Sequence, residues 1–161
     1  MLLRPAKATD AAGICAIWNP IIRDTDVTFT TAQKTDAQVA DMITLCTAQN
    51  RPFLVLDDNG IAGFATYAQF RPGPGYTATM EQTIYLAPAA QGRGLGRQLA
   101  AALEDAARRA GIRSLIAGIS ATNPGAIAFH TACGFTQVGR IPQAGEKGGA
   151  VLDLVLLHKL L

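Results

Sequence analysis

A short run of glycines and arginines, residues 91–97, could bind a phosphate group. Its sequence is Gln-Gly-Arg-Gly-Leu-Gly-Arg, and it follows a β-branched and apolar strand pattern at residues 83–86. Glycine allows close approach of the backbone, and the helix predicted over residues 95–110 begins with unpaired N–H groups. Those N–H groups and the helix dipole attract an anion, and Arg93 and Arg97 add positive charge. The run therefore predicts a site for a phosphate or a pyrophosphate.

Two common phosphate-binding motifs do not fit this run. The dinucleotide fingerprint has the spacing G-x-G-x-x-G, whereas the spacing here is G-x-G-x-G and position 97 is arginine. The mononucleotide P-loop ends in Gly-Lys-Ser/Thr, which the chain does not contain. A glycine-rich turn that only begins a helix is the remaining structural alternative.

The length and composition limit the classes of protein to consider. A chain of 161 residues with 49% hydrophobic residues is most simply one domain, residues 1–161, with a substantial core. A net charge of +2 provides no basic surface for nucleic acid, and no apolar run is long enough for a membrane span. The three cysteines are widely spaced without a C-x-x-C pair, which is typical of buried thiols in a reducing compartment. We therefore expect a cytoplasmic protein without nucleic-acid or membrane partners.

Apolar periodicity predicts the elements that hold the phosphate-binding run in place, in the order β-α-α-β-β-β-α-β-α-β-β. Hairpins alternate with crossover helices, which indicates an α/β (α+β) fold with a mixed sheet of about seven strands covered by helices. A central strand over residues 79–86 precedes the run, and the helix over residues 95–110 follows it.

Turn and cap signals set several boundaries. Residues 58–60, Asp-Asn-Gly, predict a hairpin turn because Asn-Gly tolerates positive φ. Thr35 with Asp36 predicts the start of the second helix, and Asn123 followed by Pro124 predicts the start of the last one.

Other boundaries rest on weaker signals. Thr9 or Asp10 is predicted to cap the first helix, and a break is predicted around or just after Asn19-Pro20. Residues 24–31 are predicted to form a loop over the surface, and residues 142–149 a glycine-rich turn or loop.

The phosphate-binding run resembles the acetyl-coenzyme A pyrophosphate loop of the GNAT N-acetyltransferase superfamily, which has the pattern Q/R-x-x-G-x-G/A. Three further segments strengthen the resemblance: residues 67–72 with 75–76 and 79–86, residues 123–135, and residues 138–140 with 142–147 and 152–154. In order and spacing they are similar to the phosphinothricin and methionine sulfoximine acetyltransferase branch, whose members acetylate the α-amino group of small amino-acid analogues.

This resemblance implies a GNAT fold with helices on both faces of the sheet and a splayed central strand. It implies acetyl-CoA as co-substrate, no metal, and a homodimer. The pantetheine arm would pair with backbone groups of the central strand, and the diphosphate would lie on the glycine loop. The cofactor-binding residues implied in this way are Ile84, Tyr85, Leu86, Gln91, Gly92, Arg93, Gly94, Leu95, Gly96, Arg97 and Asn123.

Glu81 stands where this branch has its general base. An amino acid arrives mostly as ammonium at neutral pH, so a group must remove a proton before nitrogen attacks the thioester. An exposed carboxylate at the start of a strand is the structural alternative for Glu81. His130 stands where many GNAT enzymes have a tyrosine that protonates the leaving thiolate; it either donates that proton or only contacts the cofactor.

The substrate pocket is predicted to include Arg71, Pro72, Gln82 and Thr83. The guanidinium of Arg71 could pair with a substrate carboxylate, since the two groups match bidentately. A solvated loop charge is the structural alternative for Arg71. The expected partner is thus a small-molecule amine, and the expected activity is N-acetyl transfer.

The chain departs from the branch in one segment. The branch usually has a phrase like K-F-G-R-W-x-D, whereas residues 147–153 read Lys-Gly-Gly-Ala-Val-Leu-Asp. The aromatic at position 148, the arginine at 150 and the tryptophan at 151 are missing, which leaves the exact amine open. The alternative functions are an acetyltransferase for protein N-termini and a catalytically silent acyl-CoA-binding module.

Overall fold

The computed structural model describes all residues from 1 to 161. Its eleven main elements follow the predicted order, with bounds β1 Leu2–Pro5, α1 Ala11–Asp24, α2 Asp36–Ala48, β2 Phe53–Asp57, β3 Ile61–Gln69, β4 Thr79–Leu86, α3 Leu95–Arg109, β5 Ser114–Ser120, α4 Pro124–Ala132, β6 Thr136–Lys147 and β7 Ala150–Leu160. The seven strands form one mixed sheet in the order β1-β2-β3-β4-β5-β7-β6, in which only β4 and β5 run parallel. The predicted fold class and strand number are confirmed.

Two hydrophobic cores lie on opposite faces of this sheet. Strand side chains alternate between the faces, so in β2 Leu54 and Leu56 join one core, whereas Phe53 and Val55 join the other. We call the first face the α3 face, because the buried side of α3 packs there, and the second the α1–α2 face. None of the four α-helices combines the length and apolar character that crossing a bilayer requires.

Strands β4 and β5 part after a short stretch of pairing. β4 pairs with β3 from Met80 to Leu86, but it pairs with β5 only from Thr79 to Glu81. β5 itself pairs with β7 along its full length. The backbone edges that β4 and β5 turn towards each other are therefore open beyond Glu81, and this is the predicted splay of the central strand.

Several local signals produce the predicted structure. Asn59 and Gly60 adopt positive φ angles of 58° and 138° in the β2–β3 hairpin. The Thr35 side chain accepts a hydrogen bond from the Gln38 N–H, in a reciprocal capping box at the start of α2. Asn123 Oδ1 accepts a hydrogen bond of 3.0 Å from the Ala126 N–H at the start of α4.

The first helix begins at Ala11, directly after Asp10 as predicted, but the predicted side-chain cap and the predicted break are wrong. Asp10 precedes α1, but its carboxylate accepts hydrogen bonds from the Lys7 N–H and the Arg4 guanidinium instead of capping the helix. Pro20 lies inside α1, which continues to Asp24. The side chain of Asn19 is held by both backbone groups of Lys34, at 2.9 Å each, and this tertiary contact favours the continued helix.

The predicted loop over residues 142–149 is also wrong, because most of it belongs to strand β6. Pro142 is tolerated there because β6 is the edge strand and the pairing with β7 shifts register between Ile141 and Gly145. Only Gly148 and Gly149, with φ of 59° and 79°, form the turn into β7.

An ion pair joins the last strand to α3. Lys159 Nζ lies 2.8 and 2.7 Å from the two carboxylate oxygens of Glu104 and donates a 2.6 Å hydrogen bond to the Cys133 carbonyl. Glu104 is only 6% exposed. Its carboxylate therefore depends on Lys159, since the second cation, Arg108, is farther away at 3.4 Å.

We predict that Lys159→Met lowers the free energy of unfolding by about 2–4 kcal/mol, because it leaves a buried carboxylate without its main partner. Urea unfolding of the two proteins measures the difference. The double variant Lys159→Met/Glu104→Gln should recover part of the loss, since it removes the unpaired charge.

Arg23→Met is the matched control, because Arg23 pairs with Asp24 on the exposed surface. It should leave the unfolding curve unchanged. An equally small effect of Lys159→Met would contradict the structural role of the Lys159–Glu104 pair.

Candidate active site

A cavity of about 190 Å³ occupies the opening between β4 and β5. Its walls come from residues 81–85 of β4, residues 117–119 of β5, Asn123 before α4, Ala126 and His130 of α4, and Val27 and Thr28 of the α1–α2 loop. A larger groove of about 420 Å³ beside α2 shares none of these residues and contains no predicted site residue. The opening thus brings together Glu81, His130, Asn123 and the backbone of β4.

Glu81 is the last β4 residue paired with β5, opposite Ile116. Its carboxylate lies over Gly118, where an added Cβ would be 2.8 Å from Glu81 Oε1. Although the residue as a whole is exposed, burial of the carboxyl group raises its pKa above the usual glutamate range. A carboxyl group with a raised pKa, at the mouth of a cavity, has the properties of a general base.

His130 is buried on the other side of the cavity. Its Nδ1 lies 2.8 Å from the Ala126 carbonyl oxygen, which can only accept, so Nδ1 carries the hydrogen and Nε2 is the free ring nitrogen. Its ring meets Phe129 and Phe135 edge-on, at centroid distances of 5.0 and 5.3 Å. Burial lowers the pKa of His130, which favours the neutral ring at pH 7.

The glycine loop has the conformation that its sequence predicts. Gly92 and Gly94 adopt positive φ angles of 72° and 76°, and α3 begins directly after Gly94. Gly96 packs against α4, where an added Cβ would lie 3.2 Å from Phe129 Cε2. The first N–H groups of α3 have no carbonyl partner within the helix, and Arg93 and Arg97 are exposed beside them. The loop therefore presents an exposed, positively charged helix start.

The side chains of residues 84–86 in β4 pack against the two hydrophobic cores. Ile84 and Leu86 pack on the α3 face, and Tyr85 packs on the α1–α2 face against Trp18 and Phe64, at centroid distances of 6.2 and 5.7 Å. Only the backbone of this segment is turned to the open edge. Asn123 both caps α4 and lines the cavity, so its two predicted roles are compatible.

The α1–α2 loop contributes two cavity residues that the sequence analysis did not predict, Val27 and Thr28. The loop is tied to β6, because Lys147 Nζ donates a 2.8 Å hydrogen bond to the Thr28 carbonyl and Phe29 packs directly on Gly145. Gly118, which makes room for Glu81, was also missed. The sequence signals for these residues were the apolar Val27 and Phe29 within the polar run 24–31, and the glycine at position 118 within an apolar strand.

The four predicted substrate residues are not all brought together. Gln82 and Thr83 line the cavity, but Arg71 and Pro72 are exposed after β3 and do not. Gln69 Nε2 fixes this loop by donating to the carbonyls of Arg71 and Gly73, at 2.6 and 2.8 Å. The guanidinium carbon of Arg71 lies 5.6 Å from the Phe70 ring centroid.

The sequence of residues 18–135 matches the model of the acetyltransferase (GNAT) family. The chain belongs to this family. The matched residues extend from within α1 through the glycine loop to just beyond the end of α4.

Two curated relatives are similar over nearly the whole chain. A methionine sulfoximine/methionine sulfone acetyltransferase of Salmonella typhimurium is 36% identical, with 98% of this chain and 93% of the relative covered. An L-amino acid N-acyltransferase of Escherichia coli is 34% identical, with 98% and 92% covered.

Three solved structures share the GNAT acetyltransferase fold closely. An acetyltransferase of Salmonella typhimurium with its cofactor acetyl-CoA has a TM-score of 0.96 at 33% identity, covering 100% of this chain and 94% of that one. A phosphinothricin acetyltransferase of Sinorhizobium meliloti in complex with acetyl-CoA has a TM-score of 0.93 at 31% identity, covering 99% and 88%. A ribosomal-protein-alanine N-acetyltransferase of Brucella melitensis has a TM-score of 0.96 at 33% identity, covering 100% of both chains.

We predict that Gly118→Ala lowers the rate of acetyl transfer by roughly 10–100-fold, because the new methyl group displaces the Glu81 carboxylate from its position. The affinity for acetyl-CoA and the melting temperature should change little, since a flexible side chain can move aside. Initial rates, calorimetric titration and thermal unfolding measure the three quantities.

Gly139→Ala is the control, since nothing lies within 4 Å of a Cβ at that position. Unchanged turnover in Gly118→Ala would contradict the importance of the Glu81 position.

Proposed function

We propose that this acetyltransferase transfers the acetyl group of acetyl-CoA to the α-amino group of a small amino acid or amino-acid analogue, with Glu81 as general base. The observation that carries the proposal is the opening between β4 and β5. One end adjoins a charged helix start suited to a diphosphate, and the other holds a carboxyl group with a raised pKa.

The residues along the opening fit acetyl-CoA. The exposed N–H groups at the start of α3, in residues 91–97, would bind the diphosphate, together with Arg93 and Arg97. The open edge of residues 84–86 offers backbone donors and acceptors to the amides of the pantetheine arm, as an added strand would. Asn123 lines the same path.

The reaction needs one general base and one hydrogen-bond donor that stabilises the negative charge on the carbonyl oxygen. Glu81 takes a proton from the substrate ammonium, directly or through a water, and the free amine then attacks the thioester carbonyl carbon. A backbone N–H of residues 84–86 would stabilise the negative charge on the carbonyl oxygen. The carbon–sulfur bond breaks, and the second proton of the nitrogen passes to the departing thiolate, so the products are the acetylated amine and free coenzyme A.

For His130, the geometry favours contact with the cofactor over proton donation. Only Nε2 is free to exchange a proton, because Nδ1 is held by the Ala126 carbonyl. Donation from Nε2 requires the imidazolium, and burial disfavours the charged ring.

An amino-acid substrate is supported by the relatives, which act on methionine sulfoximine, methionine sulfone and L-amino acids. Its amino group would meet Glu81 from the side of Val27 and Thr28. Arg71 lies outside the cavity lining, so the pairing with the substrate carboxylate that the family resemblance implies requires the carboxylate to extend out of the cavity towards the loop after β3. Of the missing aromatics, position 148 falls in the β6–β7 turn, where Gly148 and Gly149 have positive φ, and position 151 falls at the start of β7.

Three further expectations belong to this proposal. The single sheet shared by all seven strands supports the view that residues 1–161 act as one domain. A homodimer and a cytoplasmic location follow from the family resemblance and the cysteine content.

A screen of amines separates the proposed function from its alternatives. Release of free thiol from acetyl-CoA is measured with amino acids, with methionine sulfoximine and phosphinothricin, and with peptides that have free N-termini. Turnover of amino acids or these analogues supports the proposal. Turnover of peptides alone would show a protein N-terminal acetyltransferase, as in the Brucella melitensis structure, and tight binding without any turnover would show an acyl-CoA-binding module.

We predict that Glu81→Gln lowers kcat by about 10²–10⁴-fold and leaves the affinity for acetyl-CoA unchanged. In the wild-type enzyme, kcat/KM should fall as the pH drops through the pKa of Glu81, because the protonated carboxyl group cannot accept a proton. Burial raises that pKa, so the acid limb should lie at higher pH than for an exposed glutamate. The variant should lack this limb.

Glu146→Gln is the matched control, since Glu146 is exposed on the edge strand. The same pH–rate profile in wild type and Glu81→Gln would remove Glu81 as the base.

We predict that Arg71→Met raises KM for an amino acid by about tenfold through loss of one charged hydrogen-bonded pair. KM for the corresponding amino-acid amide, which lacks the carboxylate, should stay the same. Steady-state kinetics with both substrates measures the difference. An equal change in KM for both would show that Arg71 stabilises its loop and does not pair with the substrate carboxylate.

A further inference from the structure

The side-chain amide of Gln82 is buried without a hydrogen-bond partner in the protein. The residue is 8% exposed, and neither Oε1 nor Nε2 is paired. Buried amide groups in folded proteins are nearly always hydrogen-bonded, because an unpaired polar atom away from water is unfavourable. The arrangement therefore indicates a partner that the protein chain itself does not supply.

Gln82 lies at the narrow end of the β4–β5 opening. Glu81 and Ile116 form the last register pair between the two strands, and Gln82 is the next residue of β4. Gln82 is one of the residues that line the cavity, as is His130 of α4. A ligand that enters between the strands from the glycine loop would therefore bring its far end towards Gln82.

Gln82 and Glu81 point to opposite faces of the sheet, as neighbouring strand residues do. The cross-strand partner of Gln82 is Tyr67, which belongs to the core on the α3 face. The glycine loop leads into α3, so this is the face from which acetyl-CoA would reach the opening. Glu81 serves the other face, where Thr28 and Tyr85 lie and where the amine would approach.

We propose that the Gln82 amide recognises the acyl end of acetyl-CoA, with Nε2–H donating to the thioester oxygen. This inference rests on the proposed function, because it assumes that acetyl-CoA occupies the opening. A thioester offers a carbonyl acceptor, whereas the free thiol of coenzyme A is a weak hydrogen-bonding group. Gln82 therefore makes the site bind the acetylated donor more tightly than the coenzyme A left after transfer.

The test is calorimetric titration of wild type and Gln82→Met with acetyl-CoA and, separately, with coenzyme A. Methionine keeps the length of the side chain and removes the amide. The Kd for acetyl-CoA should rise about tenfold, as expected for one lost hydrogen bond, and the Kd for coenzyme A should change less than twofold. Gln137→Met, the same change at an exposed position of β6, is the control and should alter neither value.

Thermal unfolding without ligand separates recognition from a structural role. Because the amide has no hydrogen-bond partner within the protein, Gln82→Met should melt at the same temperature as wild type or higher. The rise in melting temperature on adding acetyl-CoA should be smaller in the variant.

Three results would overturn the role of Gln82: an equal loss of affinity for both ligands, no loss for either, or a lower melting temperature of the free variant. Failure of the wild-type protein to bind either ligand would overturn the proposed function as well. Binding by wild type with an unchanged affinity ratio in Gln82→Met would overturn the Gln82 inference alone.

Discussion

The geometry of the candidate active site depends on the point at which β4 and β5 stop pairing. β4 is paired with β3 from Met80 to Leu86 and β5 with β7 along its length, so each strand is held on its outer side while the inner edges diverge beyond Glu81. The divergence leaves backbone donors and acceptors free inside the sheet. It also makes the opening accessible from both faces, so that Glu81 on the α1–α2 face and the buried amide residue Gln82 on the α3 face both line one cavity.

Much of the fold could be predicted because its signals are local. The positive φ of Asn59 and Gly60, the capping box of Thr35 and the start of α4 at Asn123 each depend on a few neighbouring residues. The glycine loop of residues 91–97 is local in the same sense, and its conformation agrees with the prediction. The roles of Glu81 and His130 came from family resemblance, and their chemistry remains a prediction.

The remaining features could not be predicted because they depend on contacts between distant segments. Pro20 stays in α1, where the neighbouring Asn19 side chain meets the backbone of Lys34. Pro142 stays in a strand because β6 is at the edge of the sheet and its pairing contains a bulge. The isolation of the Gln82 amide and the contact of Gly118 with the Glu81 carboxylate arise only once the sheet is assembled.

The open inner edges of β4 and β5 also affect the tendency of the chain to aggregate. An unpaired strand edge at the rim of a sheet can recruit a strand from another molecule, and proteins protect such edges. Here the free edges lie in the interior, flanked by α4 on one side and by the loop with Thr28 on the other, and the cavity between them measures only about 190 Å³. A cavity of this size leaves little room for a second polypeptide strand with its side chains.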